Sequence, residues 1–444
     1  MTLSPILVYV RPWNREQFVD LAEGVWPNAQ LIQISEHSSV DAGNFKTAFY
    51  AAHNNVDSAT PPIDLAEAQI SDVILRCRLL RAISQERARR LVLAAEQAIE
   101  EVFARHQPKA MLSITVDSYI LQLFNLACER RNIPFIGLVP SFVNGYFRIT
   151  AMGERVVVRD VGRDEIETVS RQLLDRDYRP DFLAQSSRAL RTKARRLWRR
   201  NLLKPIYFEL RRHLSRDPLN YHYWSSSVVS RQYWSMRIQT YNGSTLFNRA
   251  DLPTTLRERP LIFLPLQMSP EATIDYWSAD TSWIDYEERV LHFLQTTADS
   301  HTILIKEHPN LLGYRSPGFY QRLANCDNAV LVDSEVPANS LIEICDGVVI
   351  CTGTVGFEAA LRGLPVYTDS HPFHLPQNIV RPLEELAKPC PARQSNSTAS
   401  QSLIRHVLEG LLPGHFRNDG SWDSNIHGQS VMIASLRQAI KWDT

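Results

Sequence analysis

The stretch GVVICTGTVGFEAALRGLPVYTDS, residues 347–370, decides the fold class. A short apolar strand ends at a Thr-Gly-Thr turn, a helix follows at once, and a second apolar strand returns shortly after the helix ends. This strand-helix-strand order is typical of a parallel sheet covered by helices. It also places the polar residues of the turn at the carboxyl end of a strand, where open α/β sheets bind their ligands.

The sequence before this stretch repeats the same pattern. Short apolar segments at 261–267, 301–309 and 329–334 are separated mostly by sequences with helical periodicity. Together with the two strands of the quoted stretch they make five strands within about 110 residues. Such a series predicts a Rossmann-like domain.

The first half of the chain carries a second series. Apolar, β-branched segments at 6–10, 29–35 and 109–115 predict buried strands. Residues 64–106 contain almost no Gly or Pro and have apolar residues three and four positions apart, which predicts one or two long helices. The alternation again indicates a parallel sheet.

Length and composition agree with two soluble domains. The chain has 444 residues, more than one hydrophobic core usually serves. Its 48 basic and 48 acidic side chains leave no net charge, whereas a nucleic-acid-binding protein is more often basic. We therefore expect no nucleic-acid partner. The six cysteines form no CxxC pair, so neither a zinc site nor a disulfide framework is indicated.

Residues 187–250 differ from both series. The sequence 186–216 contains eleven Lys or Arg against one Glu, and an aromatic, polar segment follows it. We therefore divide the chain as follows: a first Rossmann-like domain at 1–186, a basic and aromatic helical connector at 187–250, a second Rossmann-like domain at 251–424, and a C-terminal helix at 425–444.

Two interpretations of the basic segment 188–216 stay open. An Arg-rich amphipathic helix that carries Trp198 fits the surface of an anionic membrane. Alternatively, the helix is solvated and packs Leu190, Leu197 and Leu202 on its own domain. Since the N-terminal sequence MTLSPILVYVRPWN has no basic signal region, we expect a cytoplasmic protein, with peripheral contact to the inner membrane under the first interpretation.

The sequence KEHP ends the strand near 301–309. Lys306 and His308 lie two residues apart, so in a strand they share one side and can contact one anion together. A solvated Lys and a His bonded to backbone are the plainer alternative. The combination of Lys-x-His-Pro with a Gly-Thr turn some 45 residues later favours a phosphate site.

The Thr-Gly-Thr turn predicts a second part of the same site. Gly353 and Gly356 permit close approach of a ligand to the backbone, while Thr352 and Thr354 offer hydroxyl groups. Glu358, one turn into the helix, is placed to accept hydrogen bonds from a ribose diol. The turn lacks both the GxGxxG of dinucleotide sites and the GKS or GKT of a P-loop, which argues against NAD and against ATP hydrolysis.

The sequence LPLQMSPEATID supplies a third element after the strand at 261–267. Gln267 and Glu271 flank Pro270, where they can contact a base or an incoming sugar. A helix N-terminus with Ser269 as N-cap is compatible with this interpretation.

As an ordered set, these segments resemble a known family. PLQMSPEAT, KEHP, the Ser334 loop, LIEICDGVV and TGTVGFEA are similar to the nucleotide-binding half of bacterial two-Rossmann (GT-B) glycosyltransferases that build capsule and lipopolysaccharide chains. Within that group the chain looks most like the capsule polysaccharide biosynthesis proteins, which include transferases that use CMP-activated 3-deoxy-manno-octulosonic acid (Kdo). The resemblance covers about a quarter of the chain, from about 260 to 375.

The resemblance implies an α/β fold with two Rossmann-like domains facing across a cleft, and transfer of Kdo or a related ulosonic acid to a capsule, O-antigen or lipopolysaccharide glycan. It implies a donor site in the second domain and an acceptor site in the first. Because Lys306, His308 and the helix start at Thr354 can neutralise a leaving phosphate, we expect no cofactor or metal. The nucleotide-sugar residues that it and the motifs indicate are Gln267, Glu271, Lys306, His308, Ser334, Thr352, Gly353, Thr354, Gly356 and Glu358.

The catalytic carboxylate is where the chain departs from the family. Retaining Kdo transferases are expected to use a carboxylate near the cleft, but residues 219–248 contain no Asp or Glu. Asp117 and Glu154 are the candidates from the first domain, with His308 as the third catalytic candidate. Retention and inversion of the anomeric bond therefore both stay open.

Three other functions remain as alternatives. A polyol-phosphate transferase of teichoic-acid type also releases CMP, but would be expected to carry a histidine-containing acceptor motif in the first domain. A nonhydrolysing sugar-nucleotide epimerase would need several carboxylates around the nucleotide, and a noncatalytic scaffold would not need the Lys306 and His308 set. The HxxH spacing of His371 and His374 has no third ligand in the sequence, so we expect no metal.

Overall fold

The computed structural model describes residues 4–175, 178–181, 202–235, 243–246, 248–308, 311, 315–316, 318–393, 397–421 and 426–440. These residues form two compact units. Unit 1 consists of the described residues within Met1–Arg159, Ile206–Val229 and Gly410–Thr444, and unit 2 of those within Asp160–Pro205 and Ser230–Glu409. Of the basic segment 188–216, residues 188–201 lie outside the described part of the chain, including Leu190, Leu197 and Trp198.

Unit 1 contains a six-stranded sheet in the order β12-β5-β4-β3-β1-β2. Strands β1 to β4 pair in parallel, whereas β5 runs antiparallel to both of its neighbours. The predicted strands at 6–10, 29–35 and 109–115 are confirmed. The strands are β1 Pro5–Tyr9, β2 Gln30–Ile34, β3 Ala110–Ile114, β4 Phe135–Pro140, β5 Tyr146–Ile149 and β12 Leu412–Pro413.

Helices cover the sheet of unit 1 through their apolar faces. The region 64–106 forms three helices, of which the longest buries an Ala- and Leu-rich face. The helices are α1 Arg15–Val25, α2 Phe45–Asn55, α3 Glu67–Arg76, α4 Arg78–Arg81, α5 Gln85–His106, α6 Tyr119–Arg130 and α17 Ile426–Ala439. Most residues of α8, over 202–214, and of α9, Tyr221–Ser235, also belong to unit 1.

Unit 2 contains a six-stranded sheet in the order β11-β10-β9-β6-β7-β8, and every described pairing in it is parallel. Its strands are β6 Leu261–Pro265, β7 Thr302–Lys306, β8 Ala329–Val332, β9 Gly347–Val349, β10 Val366–Tyr367 and β11 Val380–Arg381. Its helices are α7 Arg163–Leu174, α10 Thr254–Arg257, α11 Ala272–Asp275, α12 Tyr286–Thr296, α13 Phe319–Ala324, α14 Ala338–Ile344, α15 Val355–Leu361 and α16 Ser397–Leu408, with 3-10 turns at Arg249–Asp251, Thr281–Asp285 and Leu383–Ala387.

The compact units differ from the predicted domain boundaries in several places, two of which concern helices. Helix α7 buries Ile166, Val169 and Leu173 and packs against α16, so it belongs with unit 2 although it precedes residue 186. The C-terminal helix α17 packs against α1 and β12 and completes the core of unit 1. In both cases an apolar helix face joins the sheet that can bury it, whatever its place in the sequence.

Part of the predicted connector pairs with unit 2. Ser244 bridges Val332 in parallel, and its N–H donates to the carbonyl of Leu331 at 2.9 Å. A Cβ atom on Gly243 would lie 2.4 Å from the backbone nitrogen of Asp333, so only glycine permits this approach. The connector therefore extends the edge of the sheet at β8.

Each sheet has a point at which the direction of strand succession reverses. In unit 1 the chain moves from β1 to β2 and then returns to the other side of β1 with β3. In unit 2 it moves from β6 through β7 to β8 and returns beside β6 with β9. Ligands of open α/β sheets bind beyond the strand ends at such a switch point, so the residues after β1, β3, β6 and β9 are the candidates for ligand contact.

Candidate functional site

Gln267 and Thr352 meet at the switch point of unit 2. Gln267 follows β6, and its side-chain oxygen accepts hydrogen bonds from the N–H groups of Cys351 and Thr352 at 3.2 and 2.9 Å. Its side-chain nitrogen donates to the hydroxyl of Thr352 at 3.2 Å. Gln267 was predicted to contact a base or a sugar. In the structure its amide bonds to the turn after β9 and holds that turn in place.

The two glycines of the turn have different surroundings. A Cβ atom on Gly353 would lie 3.0 Å from the side-chain nitrogen of Gln267. A Cβ atom on Gly356 would lie 2.4 Å from Cδ1 of Ile350, so this glycine permits close packing of helix on strand. Helix α15 begins at Val355 with Thr354 as its N-cap and is only seven residues long. Its dipole is accordingly smaller than that of a long helix.

Glu307, which was not among the predicted site residues, anchors the chain between Lys306 and His308. Glu307 is fully buried and accepts hydrogen bonds from the Arg315 guanidinium at 2.7 and 2.8 Å and from the Tyr320 hydroxyl at 2.7 Å. Its carboxylate also accepts the N–H of His308 at 2.6 Å. Burial alone would raise the pKa of Glu307, but Arg315 and these hydrogen bonds lower it.

Lys306 and His308 flank Glu307, and both are half-buried. Burial lowers the pKa of Lys306, with the carboxylate of Glu358 as the main opposing influence. Burial likewise lowers the pKa of His308 to about 4, so its imidazole is neutral near pH 7. Burial raises the pKa of Glu358, opposed by Arg362 and Lys306. A phosphate bound beside Lys306 would raise its pKa again, because a nearby negative charge favours the protonated amine.

Glu271 and Ser334 lie after β6 and β8. Glu271 is the N-cap residue of α11, and its carboxylate accepts the hydroxyl of Thr273 at 2.8 Å. The prediction of Ser269 as N-cap was wrong, since the helix begins at Ala272. Ser334 is half-buried in the loop that follows β8.

Arg11 and Asp117 occupy the switch point of unit 1. Arg11 follows β1 and donates to both carboxylate oxygens of Asp117, at 2.7 and 2.8 Å. It also donates to Glu36 at 3.1 Å, and Glu36 in turn accepts the hydroxyl of Tyr9. Burial would lower the pKa of Arg11, but the two carboxylates outweigh it and raise that pKa. The side chain of Asp117 remains 31% exposed, in contrast to Arg11 and Glu36 at 7% and 3%.

A cluster of aromatic and imidazole rings lies beside this ion pair. The rings of Trp13 and His222 are 4.7 Å apart, and His37 lies 6.0 Å from Trp13 and 5.3 Å from Tyr223. Burial lowers the pKa of His222 to about 4 and also lowers that of His37. The Nε2 atom of His37 is buried, and no described residue is its hydrogen-bond partner.

His37 was not among the predicted site residues, although it lies in this ring cluster. Glu36 and His37 lie just beyond β2, which ends at Ile34, as Glu307 and His308 lie just beyond β7, which ends at Lys306. The strand-end rule that was applied to the second half of the chain would have found them. His222 comes from a distant helix and gives no such signal.

The remaining predicted residues have structural partners. Glu154 is exposed, and its carboxylate accepts the N–H groups of Ala151 and Met152 at 2.6 and 2.7 Å, so it caps the turn after β5.

His371 is exposed whereas His374 is buried. Within the described ranges, no group of three or more His, Cys, Asp or Glu side chains is placed to hold a metal ion. No described helix is long and apolar enough to cross a membrane.

A protein-family model matches the middle of the chain. The family described as capsule polysaccharide biosynthesis protein matches residues 164–375. The resemblance to that family is confirmed over this segment. The segment contains every predicted donor-side residue from Gln267 to Glu358, while Asp117 and Glu154 lie before it. No curated protein matches the chain.

Solved structures found to be similar to this chain include two structures of KpsC from Thermosulfurimonas dismutans. The β-Kdo 2,7 transferase has 14% identity and a TM-score of 0.35, with 92% of this chain and 90% of that chain covered. The β-Kdo 2,4 transferase has 14% identity and a TM-score of 0.34, with 67% and 79% covered. A Methanocaldococcus jannaschii UDP-GlcNAc 2-epimerase in complex with UDP-GlcNAc and UDP has 10% identity and a TM-score of 0.23, with 98% of each chain covered. The two Rossmann-like units are assigned from the sheet topology of this chain itself.

Proposed function

We propose that this protein is a glycosyltransferase that uses a nucleotide-activated sugar, namely a CMP-linked Kdo or related ulosonic acid. Its acceptor would be a growing capsule, O-antigen or lipopolysaccharide glycan. One observation carries the proposal: within the family-matched segment, the switch point of unit 2 brings together the turn at Thr352, the amide of Gln267 and the strand end that carries Lys306. The expectation of Kdo comes from the resemblance of the motifs.

The donor contacts follow from the chemistry of these side chains. Lys306 is the cation that pairs with the donor phosphate, and the imidazole of His308 donates a hydrogen bond to it. The hydroxyl groups of Thr352 and Thr354 face the nucleotide, and Glu358 accepts hydrogen bonds from the ribose. In this proposal the leaving phosphate is stabilised by protein groups and the reaction needs no metal or cofactor.

The transfer step requires a base. The oxygen of the acceptor hydroxyl bonds to the anomeric carbon, the bond from that carbon to the phosphate oxygen breaks, and CMP leaves with the bonding electrons. The hydroxyl proton goes to a carboxylate, which we assign to Asp117. Its fixed position and partial exposure support this role, whereas Glu154 is occupied in capping a turn.

One observation favours a second function. A polyol-phosphate transferase of teichoic-acid type would use a histidine on the acceptor side, and His37 lies next to Glu36 at the end of β2. Both functions release CMP, so nucleotide binding does not separate them. Incubation with CMP-Kdo and with CDP-glycerol does, since each enzyme releases CMP from only one of them. CDP-glycerol turnover without CMP-Kdo turnover would replace our proposal by this alternative.

A thermal-shift screen against CMP, UDP, GDP and CDP tests the donor site. A ligand at about one hundred times its dissociation constant adds about 2.7 kcal/mol of stability. We expect CMP to raise the melting temperature of the wild type and to have little effect on Lys306→Gln. Lys388→Gln is the matched control, because Lys388 is an exposed lysine of the same unit that pairs with Glu385. No response to any of the nucleotides would support the noncatalytic scaffold.

A further inference from the structure

Helix α8 exposes a continuous apolar stripe. Five large apolar side chains on it are between 53% and 78% exposed: Leu203, Ile206, Tyr207, Leu210 and Leu214. Their spacing of three and four residues places all five on one side of a helix, within about 100° of arc. Single exposed apolar residues are ordinary, but a row of five on one helix face marks an interaction surface.

The opposite side of α8 is fixed to unit 1. The ring of Phe208 lies 5.4 Å from His222 and 6.2 Å from Tyr223. The Glu209 carboxylate accepts the hydroxyl of Ser227 at 3.0 Å. The Arg212 guanidinium lies over the ring of Trp224 at 5.0 Å. Because these contacts hold one face on α9, the apolar stripe is presented outward on a rigid support.

The charges beside the stripe identify its partner. Lys204 and Arg211 fall on its flank by helical position, with Arg211 exposed, and Arg216 is exposed just beyond the helix. The sequence that leads into α8 is also basic, since residues 186–216 hold eleven Lys or Arg against one Glu. An apolar stripe flanked by cations suits the boundary between acyl chains and anionic headgroups. A protein partner would have to pair these charges with carboxylates around an apolar groove.

We propose that α8 is an interfacial helix that seats unit 1 on an anionic lipid surface. Leu210 and Leu214 enter the headgroup boundary with their neighbours in the stripe, and the flanking cations contact lipid phosphates. The stripe differs from the face through Leu190, Leu197 and Leu202, which the alternative interpretation of the sequence packs on the helix's own domain. The inference goes beyond the proposed function, because it concerns attachment and neither the donor nor the acceptor site.

Vesicle co-sedimentation of the full chain tests this inference. The vesicles contain phosphatidylcholine with about one-third phosphatidylglycerol, and pure phosphatidylcholine vesicles serve for comparison. We expect the wild type to bind the anionic vesicles more strongly, and added salt to weaken that binding. Replacing Leu210 and Leu214 together by Gln should lower the partition coefficient by about tenfold or more, because two apolar side chains are removed from the interface.

The matched control replaces two apolar residues of unit 1 that lie outside α8. Ile63 and Val157 are 55% and 58% exposed, so Ile63→Gln with Val157→Gln removes a similar apolar surface. We expect this control to bind vesicles as the wild type does. The inference is overturned if wild-type protein fails to bind, or if the α8 variant and the control bind alike. It is also overturned if the α8 variant turns a dimer into a monomer without any vesicle binding, which would make a second copy the partner. An unchanged thermal response to CMP would show that the α8 variant is folded.

Discussion

The two switch points of this protein have the same topology and opposite chemistry. In unit 1 the position is occupied by an ion pair, Arg11 with Asp117, in which the carboxylate is partly exposed. In unit 2 it is occupied by a neutral contact, the amide of Gln267 with Thr352. The sheet of unit 1 therefore carries an anionic group at its switch point. The sheet of unit 2 carries uncharged polar groups there, with Lys306 nearby.

Unit 2 also contains a strong ion pair, but it lies behind the site. Glu307 and Arg315 are fully buried, and Arg315 donates to the backbone oxygen of Gln267 at 2.7 Å. Its charge stabilises the loop and is not available to a ligand. In unit 1 the charges of Arg11, Glu36 and Asp117 sum to one negative charge, which suits acceptance of a proton better than binding of an anion. The difference agrees with a donor side in unit 2 and an acceptor side in unit 1.

The largest expected effect is that of replacing Asp117 on turnover. If turnover did not fall, the contrast between the two switch points would have no catalytic meaning. Asp117→Asn keeps the size of the side chain and leaves Arg11 paired with Glu36. Removal of the base should slow CMP release in the presence of CMP-Kdo and acceptor by about 10³-fold, within the range for general-base catalysis. The thermal shift with CMP should not change, because Gln267 and Lys306 are untouched.

Glu154→Gln is the control for this prediction. Glu154 is also an acidic residue of unit 1, but its carboxylate caps the turn after β5. We expect its variant to lose some stability and to keep the turnover of the folded fraction. Equal turnover of Asp117→Asn and wild type would show that the ion pair in unit 1 is purely structural.

The second prediction concerns the charge behind the site. Glu307→Gln leaves the Arg315 guanidinium buried without its counter-charge, which should cost about 3 kcal/mol of unfolding free energy. Denaturant titration measures this value. Exposed Glu288→Gln, which breaks the surface pair with Arg322, is the control and should cost about 0.5 kcal/mol. If Glu307→Gln lost as little unfolding free energy as the control, the charge of Glu307 would not be what stabilises this loop.

Much of unit 2 was predictable because its signals are local. Short apolar strands that end in polar residues indicated the sheet and the residues Gln267, Lys306 and Thr352. Glu307 was overlooked although alternation along a strand places it on the opposite side from its neighbours, facing the interior. In unit 1 the sequence indicated Asp117 but not its partner Arg11. The meeting of Trp13 with His222 joins positions some 200 residues apart, and no local pattern reports such a contact.

The third prediction tests whether unit 2 binds an anion. Lys306→Gln should slow transfer by about 10²-fold, because the leaving phosphate loses its cation. The effect should appear in the rate and in nucleotide affinity together, in contrast to Asp117→Asn, which should affect the rate alone. Lys388→Gln should match the wild type in both assays. Wild-type CMP affinity in Lys306→Gln would assign the phosphate to another residue.

The smallest expected effect is on the pH dependence of stability. A buried histidine in each unit should give the same dependence, and bound CMP should change it in unit 2 alone. The folded-state pKa values of His308 and His222 are about 4, below the usual value of about 6.5 in an unfolded chain. Between these pH values the unfolded chain binds protons that the folded chain does not, so stability is full above pH ~6.5 and falls as the pH is lowered. Solvent screening at these half-buried sites leaves about 1 kcal/mol for each histidine at pH ~5.

Thermal melts with and without CMP then distinguish the two sites. His308→Asn and His222→Asn should each reduce the loss of melting temperature on acidification. A phosphate next to His308 would favour its protonated form, so CMP should bind more tightly as the pH falls, and His308→Asn should abolish this trend. The His222→Asn variant should retain it, because its ring lies beside Trp13 in unit 1. CMP affinity that does not vary with pH in the wild type would remove His308 from the phosphate site and leave Lys306 as its cation.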